Sequence, residues 1–232
     1  FKTDYVVSNS RAVRDFCAEK ELLSEAQLRV IRNAIEMPTL SDYEPEGCFT
    51  SEGALRIVHV ANIKPVKRQL DLLKAMALLR DKGVLIECVF VGCKQDEAYF
   101  GELEKFVTDN GLFEQISFYG HADSPYSVLL AADVGVLCSQ SEGLSNALME
   151  YMAAGLFCVA SDVGGNTELI QPNHTGKLYE MGNSCALADC LKEARAPQAK
   201  MYGVKARLFM EQNFSVQKLV EEHLNLYSEA CH

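Results

Sequence analysis

Five short apolar runs, at residues 55–60, 84–91, 115–119, 133–138 and 157–160, alternate with helical periodicity near 66–82, 96–110, 124–132, 144–154 and 166–171. That alternation leaves the chain few folds. Continuous apolar runs of this length read as strands covered on both faces. Parallel neighbours must be joined by a long crossover, and each helical stretch supplies one. A sixth short strand is expected at Gly176-Lys177-Leu178-Tyr179, and the tail from Ser184 to Glu229 reads as two or three helices without a further strand. The predicted fold class is α/β: a Rossmann-like doubly wound parallel sheet with helices on both faces.

The stretch before this pattern is less regular. Asp4-Tyr5-Val6-Val7 reads as a short strand, and Ser8-Asn9-Ser10 offers caps for a helix through about Lys20. Leu28-Arg29-Val30-Ile31 is another strand-like run. Met37 to Gly53 carries two prolines, two glycines and several acids, the composition of a linker.

Composition removes several functions. A net charge of −10 argues against a nucleic-acid or anionic-membrane footprint. No apolar run approaches the length of a membrane span. Phe1-Lys2-Thr3-Asp4 has neither the basic nor the apolar region of a signal peptide, and without an initiator Met the chain is expected to be a fragment or a processed chain. The nine cysteines are odd in number, and Cys88/Cys93 and Cys185/Cys190 are wrongly spaced for a zinc knuckle. Reduced thiols and a cytoplasmic location are the expectation. No His/Asp/Glu set has metal-site spacing, so no metal is expected. No Gly-x-Gly-x-x-Gly follows a strand, which disfavours a nicotinamide-dependent dehydrogenase.

One stretch is suited to chemistry. After the apolar run Val134-Gly135-Val136-Leu137-Cys138, the segment Ser141-Glu142-Gly143-Leu144-Ser145-Asn146 opens a helix that runs to Ala154 and stops at Gly155. Strand, glycine-bearing loop and helix N-terminus make an anion cradle, because unpaired N–H groups and the positive end of the helix dipole converge there. Glu142 and Glu150 frame it. A ligand with phosphates in the middle and hydroxyls at both ends, such as a nucleotide-sugar, suits that arrangement. Taken locally, Glu150 is equally a solvated helix residue and Glu142 an ordinary charge favoured by the dipole. Among the other strand ends, Gly92 is either a plain tight turn or a close backbone approach. His121 sits in a loop where a histidine is usually unremarkable, and Lys64 and Arg68 could be solvated ends of a helical turn.

The longer run resembles a known family. Glu142-Gly143, Glu150 after seven intervening residues, Ala153-x-Gly155, Val159-Ala160-Ser161-Asp162-Val163-Gly164-Gly165 and Glu168-Leu169-Ile170 are similar to the signature of the group 1 retaining glycosyltransferases. These are two-domain GT-B enzymes that use nucleotide-sugar donors and generally need no metal or other cofactor. The resemblance implies that residues 1–37 end an N-terminal acceptor domain, 38–53 form the linker and 54–232 form the nucleotide-sugar-binding domain. Within the latter, Phe214 to Ala230 would pack back against the missing N-terminal domain. It also implies a donor-binding set of Asn62, Lys67, Gly92, His121, Glu142, Gly143, Leu144, Ser145 and Glu150, with Glu142 and Lys67 taking part in catalysis. Glu142 would bind a hydroxyl of the donor sugar, and the N–H groups of Gly143, Leu144 and Ser145 the distal phosphate. Glu150 would accept from the ribose diol, and His121 would present its backbone to the base. Lys67 matches the family's phosphate-binding Lys, whereas Asn62 stands where Arg is usual, so one phosphate contact loses its charge. Gly164 and Gly165 would allow a close backbone approach, and Glu168 would cap or support that turn. The acceptor would be read by the missing domain, with the enzyme cytoplasmic or peripheral at the inner membrane face through that domain. Runners-up are a nucleotide-sugar-binding module without turnover and a sugar-nucleotide epimerase of the same architecture, the latter disfavoured by the paired glutamates.

Overall fold

The computed structural model describes residues 3–20 and 23–231. Phe1, Lys2, Glu21, Leu22 and His232, which belong to the segments expected above, lie outside the described residues. The chain opens with strand β1 (Val6–Ser8), helix α1 (Arg11–Lys20) and strand β2 (Leu28–Val30), and the two strands pair in parallel as a small separate sheet. Ser10 is buried and its Oγ accepts the Val13 N–H at 3.2 Å, so the serine after Asn9 starts α1.

The larger sheet has six parallel strands: β3 (Leu55–Val60), β4 (Ile86–Val91), β5 (Ile116–Gly120), β6 (Val134–Leu137), β7 (Phe157–Ser161) and β8 (Lys177–Tyr179). Their order is β5-β4-β3-β6-β7-β8. Helices α2 (Gln69–Arg80), α3 (Glu97–Asp109) and α4 (Tyr126–Ala131) connect the first four in chain order. Helices α5 (Asn146–Ala154) and α6 (Asn166–Leu169) make the later crossovers, and α7 (Ser184–Glu193), α8 (Ala199–Asn213) and α9 (Val216–Ala230) form the tail. Every residue of β4, β6 and β7 is buried, which requires a helical layer on each face. Ile57 and Phe90 pack with Leu72, Leu103 and Leu187 on one face; Val58 and Val89 pack with Leu129, Leu148 and Met210 on the other.

The α/β expectation and the strand positions hold, but the helix expected from 66 begins only at Gln69. Pro65–Lys67 form a single tight turn, and Arg68 adopts a left-handed backbone with φ 51° that breaks the helical path. The expected linker contains one such turn, Leu40–Asp42. It is strapped down by the buried Glu87 carboxylate, which accepts the Thr50 and Ser51 N–H groups at 3.0 and 2.9 Å.

The strand order reverses between β3 and β6, and there the sheet opens. Only Ile57↔Val134 and Val58↔Gly135 pair across it, although both strands continue. The fully buried Tyr151 of α5 spans the parted ends: its Oη accepts the Val60 N–H and donates to the Val136 carbonyl at 3.4 Å. Its ring fills the space beside Gly135, where an added Cβ would stand 2.4 Å from the ring. Tyr151→Phe should keep the packing, remove both bonds and leave the Val60 N–H without a partner. The expected loss of unfolding free energy in urea is about 1–3 kcal/mol. An unchanged urea midpoint would mean that the strand ends hold their separation without the hydroxyl.

Candidate functional site

In an open parallel sheet, ligands bind beyond the carboxyl ends of the strands at the point where strand order reverses. Here that point is the gap between β3 and β6. A cavity of about 510 Å³ lies there, walled by the segment after β3 (Asn62, Lys64, Lys67) and by Glu142 to Ala147 after β6. Two contacts fasten the walls together. The Gln140 N–H donates to the Val66 carbonyl at 2.8 Å, and Lys67 Nζ donates to Glu142 Oε1 at 2.6 Å. Side-chain exposures of 22% for Lys67 and 11% for Glu142 leave this ion pair largely shielded, so its attraction is weakly screened.

Ser145 caps α5, its Oγ accepting the Leu148 N–H at 3.3 Å. Among the described residues the N–H groups of Gly143, Leu144, Ser145 and Asn146 have no partner in the protein. They are donors left for an anion, at the positive end of a nine-residue helix. Glycines close the loop from behind. A Cβ on Gly165 would stand 1.8 Å from the Gly143 carbonyl oxygen, and one on Gly164 2.0 Å from that of Glu142. Both must be glycine for the β7 exit to lie against the cradle.

Asn62, Lys67, Glu142, Gly143, Leu144 and Ser145 all line this cavity. The other three named residues do not. Asn62 uses its side-chain oxygen to accept the Cys93 N–H at 3.0 Å, so its carboxamide can offer an anion only the nitrogen. Lys64 lines the cavity, whereas Arg68 turns to Asp71 at 2.6 Å. Gly92 lies behind the lining: with φ 144° it lets the β4 exit touch Ala61, whose oxygen would be 2.3 Å from an added Cβ. The His121 side chain is exposed and its ring lies 3.4 Å from Asp123.

Glu150 sits one turn beyond Asn146, partly buried, and burial pushes its carboxyl up to about 7. Burial, and secondly the Glu150 charge, push the neighbouring Tyr126 phenol up to about 12. His59, wholly buried under the β3 exit, is pushed the other way, to about 4, by burial and by the charge of Lys67, and neither ring nitrogen has a partner among the described residues.

Two residues were missed by sequence reasoning. Asn9 and Asn33, from the segment around β1 and β2, reach the cavity from the opposite side, Asn33 Nδ2 donating to Asn146 Oδ1 at 3.1 Å. Glu168 supports the glycine turn in an unexpected way. Its carboxylate accepts the Arg11 N–H at the start of α1 at 2.6 Å and receives Arg32 Nη2 and Nε at 2.8 and 3.2 Å. It caps α1 rather than its own turn. The serine-flanked Asn9 was visible as a helix start, but nothing local gives its distant partner.

Residues 49–203 match the family described as Glycosyl transferases group 1, and the chain belongs to that family. It is 29% identical over 181 residues to N-acetyl-alpha-D-glucosaminyl L-malate synthase of Bacillus anthracis, covering 76% of this chain and 46% of that protein. It is 25% identical over 218 residues to poly(ribitol-phosphate) alpha-N-acetylglucosaminyltransferase of Staphylococcus aureus, covering 86% and 43%. The chain thus spans less than half the length of these two curated relatives. Its fold matches Anabaena HepE in complex with UDP, with TM-score 0.85, 21% identity, and coverage of 97% of this chain and 64% of that one. Sucrose-phosphate synthase of Thermosynechococcus elongatus matches with TM-score 0.85 and 22% identity over 99% of this chain and 59% of that one.

The raised Glu150 carboxyl has a stability consequence. Below its unfolded value of 4.5 the group is neutral in both states, and as pH rises to about 7 the unfolded chain ionises first and gains the advantage. Glu150→Gln removes that penalty. The variant should gain little over the parent at pH 5 and clearly more at pH 8, read as the difference in urea midpoints. Equal differences at both pH values would show that Glu150 is hydrated rather than desolvated.

Proposed function

We propose that this chain is the donor-binding portion of a retaining glycosyltransferase of hexosyltransferase type. It would serve a sugar transfer from a nucleotide-sugar to an acceptor hydroxyl on a glycan, polysaccharide or lipid-linked chain, in the cytoplasm. The observation that carries this reading is the pairing of Lys67 and Glu142 across the switch-point gap, beside the unpartnered N–H groups that open α5. In the reaction the bond from the anomeric carbon to the diphosphate oxygen breaks. A bond to the acceptor oxygen forms on the same face, the acceptor hydroxyl gives its proton to the departing diphosphate, and the nucleoside diphosphate leaves. Negative charge grows on the diphosphate, and Lys64, Lys67 and the N–H groups at the start of α5 are placed to offset it. That task falls to these groups, with no metal or cofactor involved.

The Lys67–Glu142 pair gives the site a way to hand over partners. An arriving phosphate takes Lys67, and the carboxylate of Glu142 is released toward the donor's sugar. Glu150 is assigned the ribose diol, beyond the cavity's lined region along α5. Relatives support the donor class: HepE has been crystallised with UDP-glucose, and the Staphylococcus relative is named as an N-acetylglucosaminyltransferase. The acceptor would be read by an N-terminal domain, and this portion alone would not turn over. A second reading, a nucleotide-sugar-binding module without turnover, draws on Asn62, whose oxygen is committed to Cys93 where the family commonly has a cation.

Calorimetry with UDP, GDP and ADP tests the reading. At least one should bind weakly, and no heat from any of them at millimolar concentration would refute it. Glu150→Ala should weaken the free diphosphate and its sugar ester alike by roughly 1–3 kcal/mol, the range for a hydrogen bond to a charged group. Glu142→Gln should leave the free diphosphate as tight or tighter, since Lys67 loses its competitor, and should weaken only the sugar ester. Equal losses for both ligands in both variants would reduce the glutamates to helix stabilisers. Sugar transfer by a longer chain containing these residues separates the enzyme from the module.

A further inference from the structure

Asn9 is displayed with more structural support than its chain position explains. It lies between two buried serines. Ser8 Oγ donates to the Ser10 carbonyl at 3.1 Å, and the Ser8 carbonyl accepts the Ile31 N–H at 3.0 Å. Ser10 starts α1, and the next N–H, of Arg11, is held by Glu168 from the far side of the site at 2.6 Å. The three-residue turn is therefore fixed at both ends, once to its own sheet and once to the glycine turn after β7.

The Asn9 side chain makes no hydrogen bond among the described residues, yet it rests on the anion cradle. A Cβ on Gly143 would stand 2.9 Å from Asn9 Oδ1 and 3.2 Å from Nδ2. Gly143 precedes the α5 cap and follows Glu142, whose carboxylate faces the same cavity. A free carboxamide offers one acceptor and two donors within a short reach, which matches a sugar hydroxyl that both gives and takes a hydrogen bond. A phosphate, by contrast, would already find Lys64, Lys67 and the α5 N–H groups.

We propose that Asn9 contacts the transferred sugar of the bound donor and that Glu168 is the positioning residue that holds Asn9 over Gly143. This rests on the reading of the cavity as a nucleotide-sugar site. Glu168 touches no part of the cavity itself; its carboxylate acts through the start of α1 and through Arg32, 2.8 Å away. The site would thus be completed by two segments more than a hundred residues apart in the chain, with sugar recognition divided between Glu142 on one wall and Asn9 on the other.

The test is calorimetry with whichever of UDP, GDP and ADP binds, and with its glucose and N-acetylglucosamine esters. In Asn9→Ala the better ester should lose about tenfold in affinity, the worth of one good hydrogen bond, while the free diphosphate stays within about twofold. Glu168→Gln should produce the same selective loss, and the double variant should lose no more than the larger single loss, because both changes remove one contact. A structural role alone would weaken diphosphate and ester together and would lower the melting temperature in step. If the diphosphate binds but the ester binds no differently from it in the parent, or if Asn9→Ala leaves the ester unchanged, the assignment of Asn9 is overturned. If no diphosphate binds at all, it is the nucleotide-sugar reading that fails.

Discussion

The parting of β3 and β6 is the constraint on which the site depends. Parallel strands left to themselves pair along their full length, and a continuous ladder would leave no room beyond Val58 and Gly135. Tyr151 prevents this by taking one backbone group from each strand, the Val60 N–H and the Val136 carbonyl. It can do so only because Gly135 has no side chain in its way. The switch in strand order would produce a crevice in principle; the buried phenol gives the crevice its width while meeting the Val60 N–H and the Val136 carbonyl.

Once the strands part, the loops leaving them must be held without help from the sheet. Small residues and single hydrogen bonds do this. Gly92 brings the β4 exit against Ala61, Gln140 ties the β6 exit to Val66, and Gly164 and Gly165 bring the β7 exit against Glu142 and Gly143. Charge is arranged on this frame sparingly. His59 is kept neutral by burial and by Lys67, and among the described residues the cations lining the cavity are Lys64 and Lys67. On a chain of net charge −10, long-range attraction cannot draw in a diphosphate. Binding has to come from short contacts inside a screening length, where the α5 N–H groups and the two lysines act.

The sheet was legible in the sequence because its information is local. Apolar runs such as Leu55–Val60 and Phe157–Ser161 are buried on both faces, and a period that needs no partner to be read marks them. The helix that becomes α5 was legible for the same reason, with Gly155 as its stop, while Ser145 as its cap emerges only from the structure. Lys67 was visible only through a resemblance in spacing and Glu142 also through its place beside the anion cradle, but the ion pair between them is a tertiary fact. The helix expected from residue 66 was read too early because Pro65 and the residues after it suit a helical first turn. The left-handed Arg68 that breaks the path is stabilised by a contact to Asp71 that no periodicity reveals. The environment of Glu150 was hidden as well, since a helical wheel gives the side a residue faces but not how much water remains there.

The N-terminal segment shows the limit of local reading best. Ser8-Asn9-Ser10 announces a helix start, and that description is correct as far as it goes. A helix start also has unsatisfied N–H groups, and a carboxylate elsewhere in the chain can satisfy them as well as a local cap can. Glu168 does this for Arg11 and collects Arg32 at the same time. Two individually weak interactions, one exposed and one half-buried, become worth more when one carboxylate makes both, because the entropy of ordering it is spent on three hydrogen bonds. The consequence reaches past stability. Whatever fixes α1 also fixes Asn9 and Asn33 relative to Gly143 and Asn146, so the geometry of the cavity's outer wall is set by residues that never face it.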